Sequence, residues 1–500
     1  MVRITGGRAQ VDPLHTGYRQ EFRRVSNGQR STWHPGHVHS EARRRRARRA
    51  GRLRVVAAFV GIVTFLAAGC STPQPAEVAA AAEPVRTVAV TPSGPAYPRT
   101  AVYFLEHEEL PTVETLARHD VVVLDSEWDN RAPRSFFARM RQLNPDIVLL
   151  AYVNVIDQPP ELGSSDRWAD RYALWQFTGP TASRFPERWL ARSSDGSYVS
   201  EYPSTLMANL TDRAPRVNGQ TFAEYATDWI VDQVWSTGVW DGVFLDVWGD
   251  RIYGATLDEW DVDRDGVDEP ASTIYGVGNP WERGVNRAER ALRERIPEAI
   301  LVANADRTLR ARQLDGRVWE NFADPEVDRD PAYDLRGYLT ASAQGAHRLP
   351  GLTLTINKET GNPLSEEGQR RARFFLTATL LQNGYWAPMG DDYGELVHYD
   401  ELDGGGLGTG YLGHPLVPDP TPAQLQAPYS EGVGRLAEGL FRRDFEHGIV
   451  LHNLSDESRR VSLARPYQRL SGSQDPVTNN GRVVQTVTIA GRDGLILLRN

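Results

Sequence analysis

The chain is nearly without cysteine and nearly without lysine. Of its 500 residues only Cys70 carries a thiol and only Lys358 an ammonium side chain. One cysteine leaves nothing for it to pair with, so an internal disulfide is excluded. Arginine in place of lysine on this scale reads as codon bias in a GC-rich genome. Beyond residue 70 there is no HxH pair and no histidine cluster, so a metal-dependent hydrolase lacks its usual ligands. No glycine-rich loop follows an early strand. The GGGLGTG run at 404–410 comes after the last strand candidate and precedes no helix, which argues against a nucleotide cradle. Lastly, the apolar stretch at 55–68 is 14 residues, short for a membrane span.

What is present is unevenly distributed. The net charge is −9, yet residues 1–69 hold 14 arginines against 3 acidic residues, and the rest holds 42 basic against 62 acidic groups. An acidic body argues against a nucleic-acid partner, whose backbone is bound by neutralising phosphates. The arginine cluster runs directly into the apolar stretch and then LAAGC. That order resembles a bacterial lipoprotein signal, with Cys70 as the lipidated residue, although Ala67 stands where leucine is usual. Residues 1–70 are therefore expected to be an N-terminal extension and signal peptide. Residues 71–98, rich in Pro, Ala, Ser and Thr, read as a tether. The expected location is the outer face of the cell membrane, with a lipid anchor and a monomeric body.

From residue 99, short apolar runs alternate with helical segments. AVYFL, VVVLDSEW, IVLLAYVNV, GVFLDVW, AILVANAD, RVWENF, LTLTIN and GYWAPM are eight strand candidates, and RSFFARMRQL, FAEYATDWIVDQVW and VNRAERALRER lie among the helices between them. The pattern predicts an α/β fold: a (β/α)8 TIM barrel over 99–429. An open doubly wound sheet is the alternative. After residue 430 the runs become short and period-two, with no helix evident beyond RLAEGLFRRD, so 430–500 is expected to be a small C-terminal all-β sandwich.

In such a barrel, chemistry comes from the C-terminal strand ends. Asp246 ends the continuous apolar run Val243–Phe244–Leu245, and an ionised carboxylate there belongs at a cleft. Glu320 ends the next clear example, RVWENF. Two strand-end carboxylates are what acid/base work on a glycosidic bond requires. Asp125, Glu127, Asn154, Asn304, Asp306 and Asp391 fall at other strand ends and are candidates for sugar hydroxyls; Lys358, also at a strand end, reads equally as a substrate-binding residue for an acidic sugar or as a plain surface residue. Trp128, Trp248 and Trp386 are candidates for stacking on sugar faces, with core packing as the plain alternative. Asp241 opens its strand and is expected to be structural. In the loop after the fourth strand, Asp261, Asp263, Asp265 and Gly266 form the first half of an EF-hand-like calcium loop. Val267 and Glu269 complete the candidate ligands, since Ser272 stands at the twelfth place. Catalysis itself needs no cofactor, and a Ca2+ here would be structural.

The motifs LLAYVNV, DGVFLDVWGD, VWENF, FRRDFEHGIVLHNLS and DGLILLR, spread over 99–500, resemble the hypothetical glycoside hydrolases of bacteria. These are similar to the endo-α-1,4-polygalactosaminidase family and more distantly to the α-galactosidase clan. The resemblance implies catalytic carboxylates after strands four and six, which map to Asp246 and Glu320. The clan's usual strand-six acid is Asp, so Glu320 departs from it. The implied function is hydrolysis of an extracellular or cell-envelope polysaccharide. The competing reading is a non-catalytic carbohydrate-binding surface lipoprotein on the same scaffold.

Overall fold

A computed structural model of the protein describes Glu77–Val78 and residues 94–499, apart from 107–108, 163–168, 180–181, 203–204, 253–255, 305–312, 323–334, 340–350, 359–360 and 391–392. Eight parallel strands pair in chain order: β1 (Ala101–Phe104), β2 (Val121–Asp125), β3 (Val148–Val153), β4 (Gly242–Leu245), β5 (Ile300–Ala303), β6 (Gly316–Glu320), β7 (Leu352–Lys358) and β8 (Tyr385–Met389). The ends meet where Trp386 N–H donates to the Arg99 carbonyl at 3.1 Å, beside a parallel bridge from Thr100 to Trp386. The sheet is thus a nearly closed barrel, and all eight expected strands form it.

Side-chain alternation sorts each strand. Tyr103, Val123, Tyr152, Phe244, Val302, Val318, Ile356 and Ala387 belong to one cluster inside the barrel. Their in-between neighbours on β1–β5, such as Val122, Leu149, Val243 and Leu301, pack outward into the larger cluster. Gly242 and Gly316 begin β4 and β6, where a Cβ would meet the Ile300 and Leu352 carbonyls at 2.0 and 1.5 Å; only glycine lets those neighbours approach. The covering helices include α1 (Arg134–Leu143), α2 (Ala169–Thr178), α3 (Phe222–Trp229), α4 (Pro280–Arg295) and α5 (Glu366–Thr379). A capping box between Thr221 and Glu224 starts α3. Among the described residues no helix is long and apolar enough to cross a membrane.

The long connection from β3 to β4 folds as a packed unit. Trp189 stacks within 4.7 Å of Tyr225 and within 5.9 Å of Phe222, and a ribbon pairs Asp157–Gln158 with Leu206–Met207. Tyr202 in this connection feels the Asp246 and Glu320 charges, which sets it beside the C-terminal strand ends.

The C-terminal region is all-β and antiparallel: β9 (Val433–Ala437), β10 (Leu440–Asp444), β11 (Gly448–Asn453), β12 (Arg459–Arg469), β13 (Val483–Ile489) and β14 (Asp493–Arg499), with Glu77–Val78 adding a parallel edge on β12. RLAEGLFRRD, despite its helix-forming composition, is the hairpin β9–β10, turned at Gly439 with φ 70°. A register shift in β12 between Ser462 and Tyr467 lets that strand pair with both β13 and β14. Leu440, Ile449, Leu451 and Leu497 pack with Val461, Tyr467, Val487 and Ile489 on one face of the bent sheet. The other face covers α5. There Arg373 donates to Asp493 at 3.0 Å and to Asp475 at 2.5 Å, all three buried.

Candidate active site

Backbone pairing brings the two acids to one place. Asp246 N–H donates to the Val153 carbonyl at 2.9 Å, and Asn304 N–H to the Leu245 carbonyl at 2.8 Å, so β3, β4 and β5 are in register at the mouth. By alternation Asp246 follows Phe244 inward, Asn304 follows Val302, and Glu320 follows Val318. The Asn304 amide nitrogen donates to Asp246 Oδ1 at 2.9 Å and to Glu320 Oε2 at 3.2 Å. One nitrogen shared this way holds the two oxygens no more than about 6 Å apart, within the span that flanks a single glycosidic bond. The second oxygen of Asp246 accepts a hydrogen bond from the Tyr152 hydroxyl.

The residue after each acid has a left-handed backbone: Val247 at φ 54° and Asn321 at φ 52°. Asparagine tolerates that region, whereas a β-branched residue does so at a cost of about 1–3 kcal/mol. The kink turns the Val247 N–H onto the Asp246 carboxylate.

Electrostatically the acids differ. Burial pushes the pKa of Asp246 up, against hydrogen bonds from Tyr152, Asn304 and the Val247 N–H that favour its charged form. Glu320 touches solvent at the mouth, yet the surrounding protein desolvates it enough to raise its pKa. The Asp246 charge raises it further; Asn304 and Lys358 oppose the rise. Both carboxyls are thus raised: Asp246 against three hydrogen-bond donors and with the Asp157 charge adding to the rise, Glu320 against one donor and the Lys358 charge.

A sequence profile of the hypothetical glycosyl hydrolase family 15 matches residues 141–449, well over half of the chain. The chain belongs to this family. Its reaction class is therefore glycoside hydrolysis, and the matched span takes in Asp246, Asn304 and Glu320. No curated protein matches the chain. Among solved structures it is similar to the glycoside hydrolase domain of PelA from Pseudomonas aeruginosa: 15% identity, 61% of this chain and 99% of that one, TM-score 0.36. It is also similar to an α-amylase from Geobacillus thermoleovorans: 9% identity, 80% and 98% coverage, TM-score 0.39.

In this family member the other expected site residues divide. Lys358 ends β7 inward, beside Glu320, with its Nζ 6.0 Å from the Tyr393 ring centre. Asp125 ends β2 buried and accepts the Glu127 N–H at 3.2 Å. Glu127 is buried and paired with Arg131 at 2.7 Å. Asn154 is buried, its Oδ1 accepting the N–H groups of Ile156 and Asp157 as a turn does. The tryptophans are a correction to the stacking expectation. Trp128, Trp248 and Trp386 are 5%, 1% and 0% exposed, and their indole N–H groups are held by Glu106, Glu289 and Asn357. Indoles enclosed in this way cannot receive a sugar. Asp241 is structural, taking Arg141 at 3.0 Å and the Leu149 N–H at 2.9 Å. Asp306, Asp391 and Cys70 lie outside the described residues.

Sequence reasoning missed the tyrosines. Tyr103, Tyr152 and Tyr202 have raised pKa values, each through burial first and then through the Asp246 charge among others; Tyr393, though half-exposed, is raised by desolvation from the surrounding protein and then by the Glu320 and Asp246 charges. Tyr103 and Tyr152 sit mid-strand inside apolar runs, where their sequence signal is that of core residues.

In the loop after β4, ligand atoms of Asp261, Asp263 and Asp265 lie within 4.8 Å of one another. Asp263 Oδ1 is buried with no partner among the described residues, which suits a cation. Asp261 also accepts the N–H groups of Asp265 and Gly266 at 3.1 and 2.9 Å. Glu269 accepts the Val262 N–H at 3.1 Å and pairs with Arg213 at 3.4 Å, and is thus engaged elsewhere.

Proposed function

We propose that the protein cleaves a polysaccharide with retention of anomeric configuration, with Asp246 as nucleophile and Glu320 as acid/base. The carrying observation is the Asn304 amide shared by both acids. An sp2 amide directs its two N–H bonds about 120° apart, which sets the bound oxygens roughly 5 Å from each other, the spacing of retaining enzymes. In the first step an Asp246 oxygen bonds to the anomeric carbon as that carbon's bond to the leaving oxygen breaks, and Glu320 gives that oxygen its proton. In the second, Glu320 takes a proton from water, whose oxygen displaces Asp246.

The charge at the mouth favours a polymer without acidic groups. Asp246 and Glu201 act on Tyr202, while Asp157 beside them is paired with Arg171 at 2.6 Å and Glu320 carries the proton in the proposed reaction; Lys358 is the cation acting on Glu320. The test is reducing-end release from neutral polysaccharides and from polyuronates by the full chain. Cleavage confined to polyuronates would contradict the charge argument, and cleavage of none would contradict the function.

Two further expectations stand as proposals. Export and lipidation at Cys70 would bring the enzyme to polymers of the cell envelope. A Ca2+ held by Asp261, Asp263 and Asp265 would stiffen the loop that follows Asp246.

A further inference from the structure

With the three tryptophans enclosed, the mouth still needs a surface for the hydrophobic face of a sugar. Among the described residues the large exposed aromatics are Tyr393 and Phe177, at 46% and 37%. Phe177 belongs to α2 and packs against Tyr225, within the β3–β4 connection. Tyr393 follows β8 and is joined to the site by a chain of rings. Its ring stands edge-on to Tyr103 at 5.9 Å and 72°; Tyr103 stands edge-on to Tyr152 at 6.0 Å; and Tyr152 donates to Asp246. The Tyr393 carbonyl accepts the Leu105 N–H at 2.9 Å, which fixes its backbone to the end of β1. Lys358 approaches the ring from β7.

We propose that Tyr393 is a stacking platform for one sugar ring of the substrate next to the scissile bond, with the Lys358 ammonium donating to that sugar's hydroxyls. The inference rests on the hydrolase reading and adds to it a subsite and its ligand, a pyranose ring with an apolar C–H face. A half-exposed ring braced from one side by Tyr103 leaves surface for such a ring at little entropic cost, because its rotamer is already held. The ammonium stands over the ring at 6.0 Å from its centre, a separation that a sugar edge can enter, so the two together supply an apolar surface and the hydrogen-bond donors that orient a sugar.

The experiment reads binding and not turnover. The full chain carrying Asp246→Asn is applied to an array of neutral bacterial and plant glycans, alone and combined with Tyr393→Ala, Tyr393→Phe or Lys358→Met. The expected result is signal for Asp246→Asn, retained with Tyr393→Phe, reduced roughly tenfold or more with Tyr393→Ala and severalfold with Lys358→Met. Undiminished signal with Tyr393→Ala overturns the platform and leaves the hydrolase reading standing. No signal from Asp246→Asn on any glycan overturns the hydrolase reading itself, and the subsite with it.

Discussion

Tyr152 donates its phenolic hydrogen to Asp246 across the β3–β4 pair, two residues beyond the point where it stacks on Phe244 at 5.8 Å and 29°. The strand register decides this contact: Tyr152 lies opposite Phe244, and Asp246 is the next inward residue. Tyr152→Phe keeps the ring and removes the donor. The expected outcome is a fall in kcat of about 10- to 100-fold with a folded protein, and an acidic limb of the pH–rate profile displaced upward. An unmoved acidic limb would mean that the bond has no part in holding Asp246 ionised.

The pH dependence of the reaction follows from the two raised carboxyls. With Asp246 as the proposed nucleophile and Glu320 as the proposed acid, activity is expected to fall at low pH as Asp246 gains its proton and at high pH as Glu320 loses its own. Both limbs are expected above those of ordinary carboxylates. Glu320→Gln, tested on a substrate with an activated leaving group, is expected to abolish the alkaline limb. Its survival would assign that limb to another group.

Much of this was legible in the sequence. Continuous apolar runs placed all eight strands, because parallel strands are covered on both faces. The ends of two such runs named Asp246 and Glu320, and the structure brings them to one amide. The aromatics around the two acids were not legible. Composition showed tryptophan in quantity, but whether an indole faces a core or a cleft depends on packing between distant segments: Trp386 is covered by Tyr399, and Trp248 is held by Glu289. Tyr393 and Tyr152 gave no local signal, since their positions are set by register with other strands.

Arg373 joins the two domains through buried Asp475 and Asp493. Removing its charge leaves three buried carboxylates, Asp475, Asp493 and Glu401, without that guanidinium. Arg373→Met is expected to cost about 3–5 kcal/mol in denaturant unfolding. A loss below about 1 kcal/mol would show that water reaches those acids.

His452 lies in the same interface, its ring 4.8 Å from Phe374 and its Nδ1 3.0 Å from Thr377 Oγ1. Burial lowers its pKa to about 3. A folded pKa below the unfolded one means that the unfolded chain binds the proton more readily. Stability from the neutral ring is therefore complete above about pH 6.5 and declines as pH falls towards 3. Unfolding free energy measured against pH should fall less steeply over that window in His452→Gln; an equal slope would assign the acid sensitivity elsewhere.

If the acidic loop holds Ca2+, chelation should lower Tm by a few degrees, and Asp263→Asn should remove the effect. A Tm indifferent to millimolar calcium would contradict the site.

The most direct test is kinetic. On one substrate that the full chain cleaves, Asp246→Asn and Glu320→Gln are compared with the unaltered protein, with Tm measured alongside. The account predicts that each loses on the order of 10³-fold or more in kcat while Tm holds within a few degrees. Cleavage at the original rate by either folded variant would contradict it.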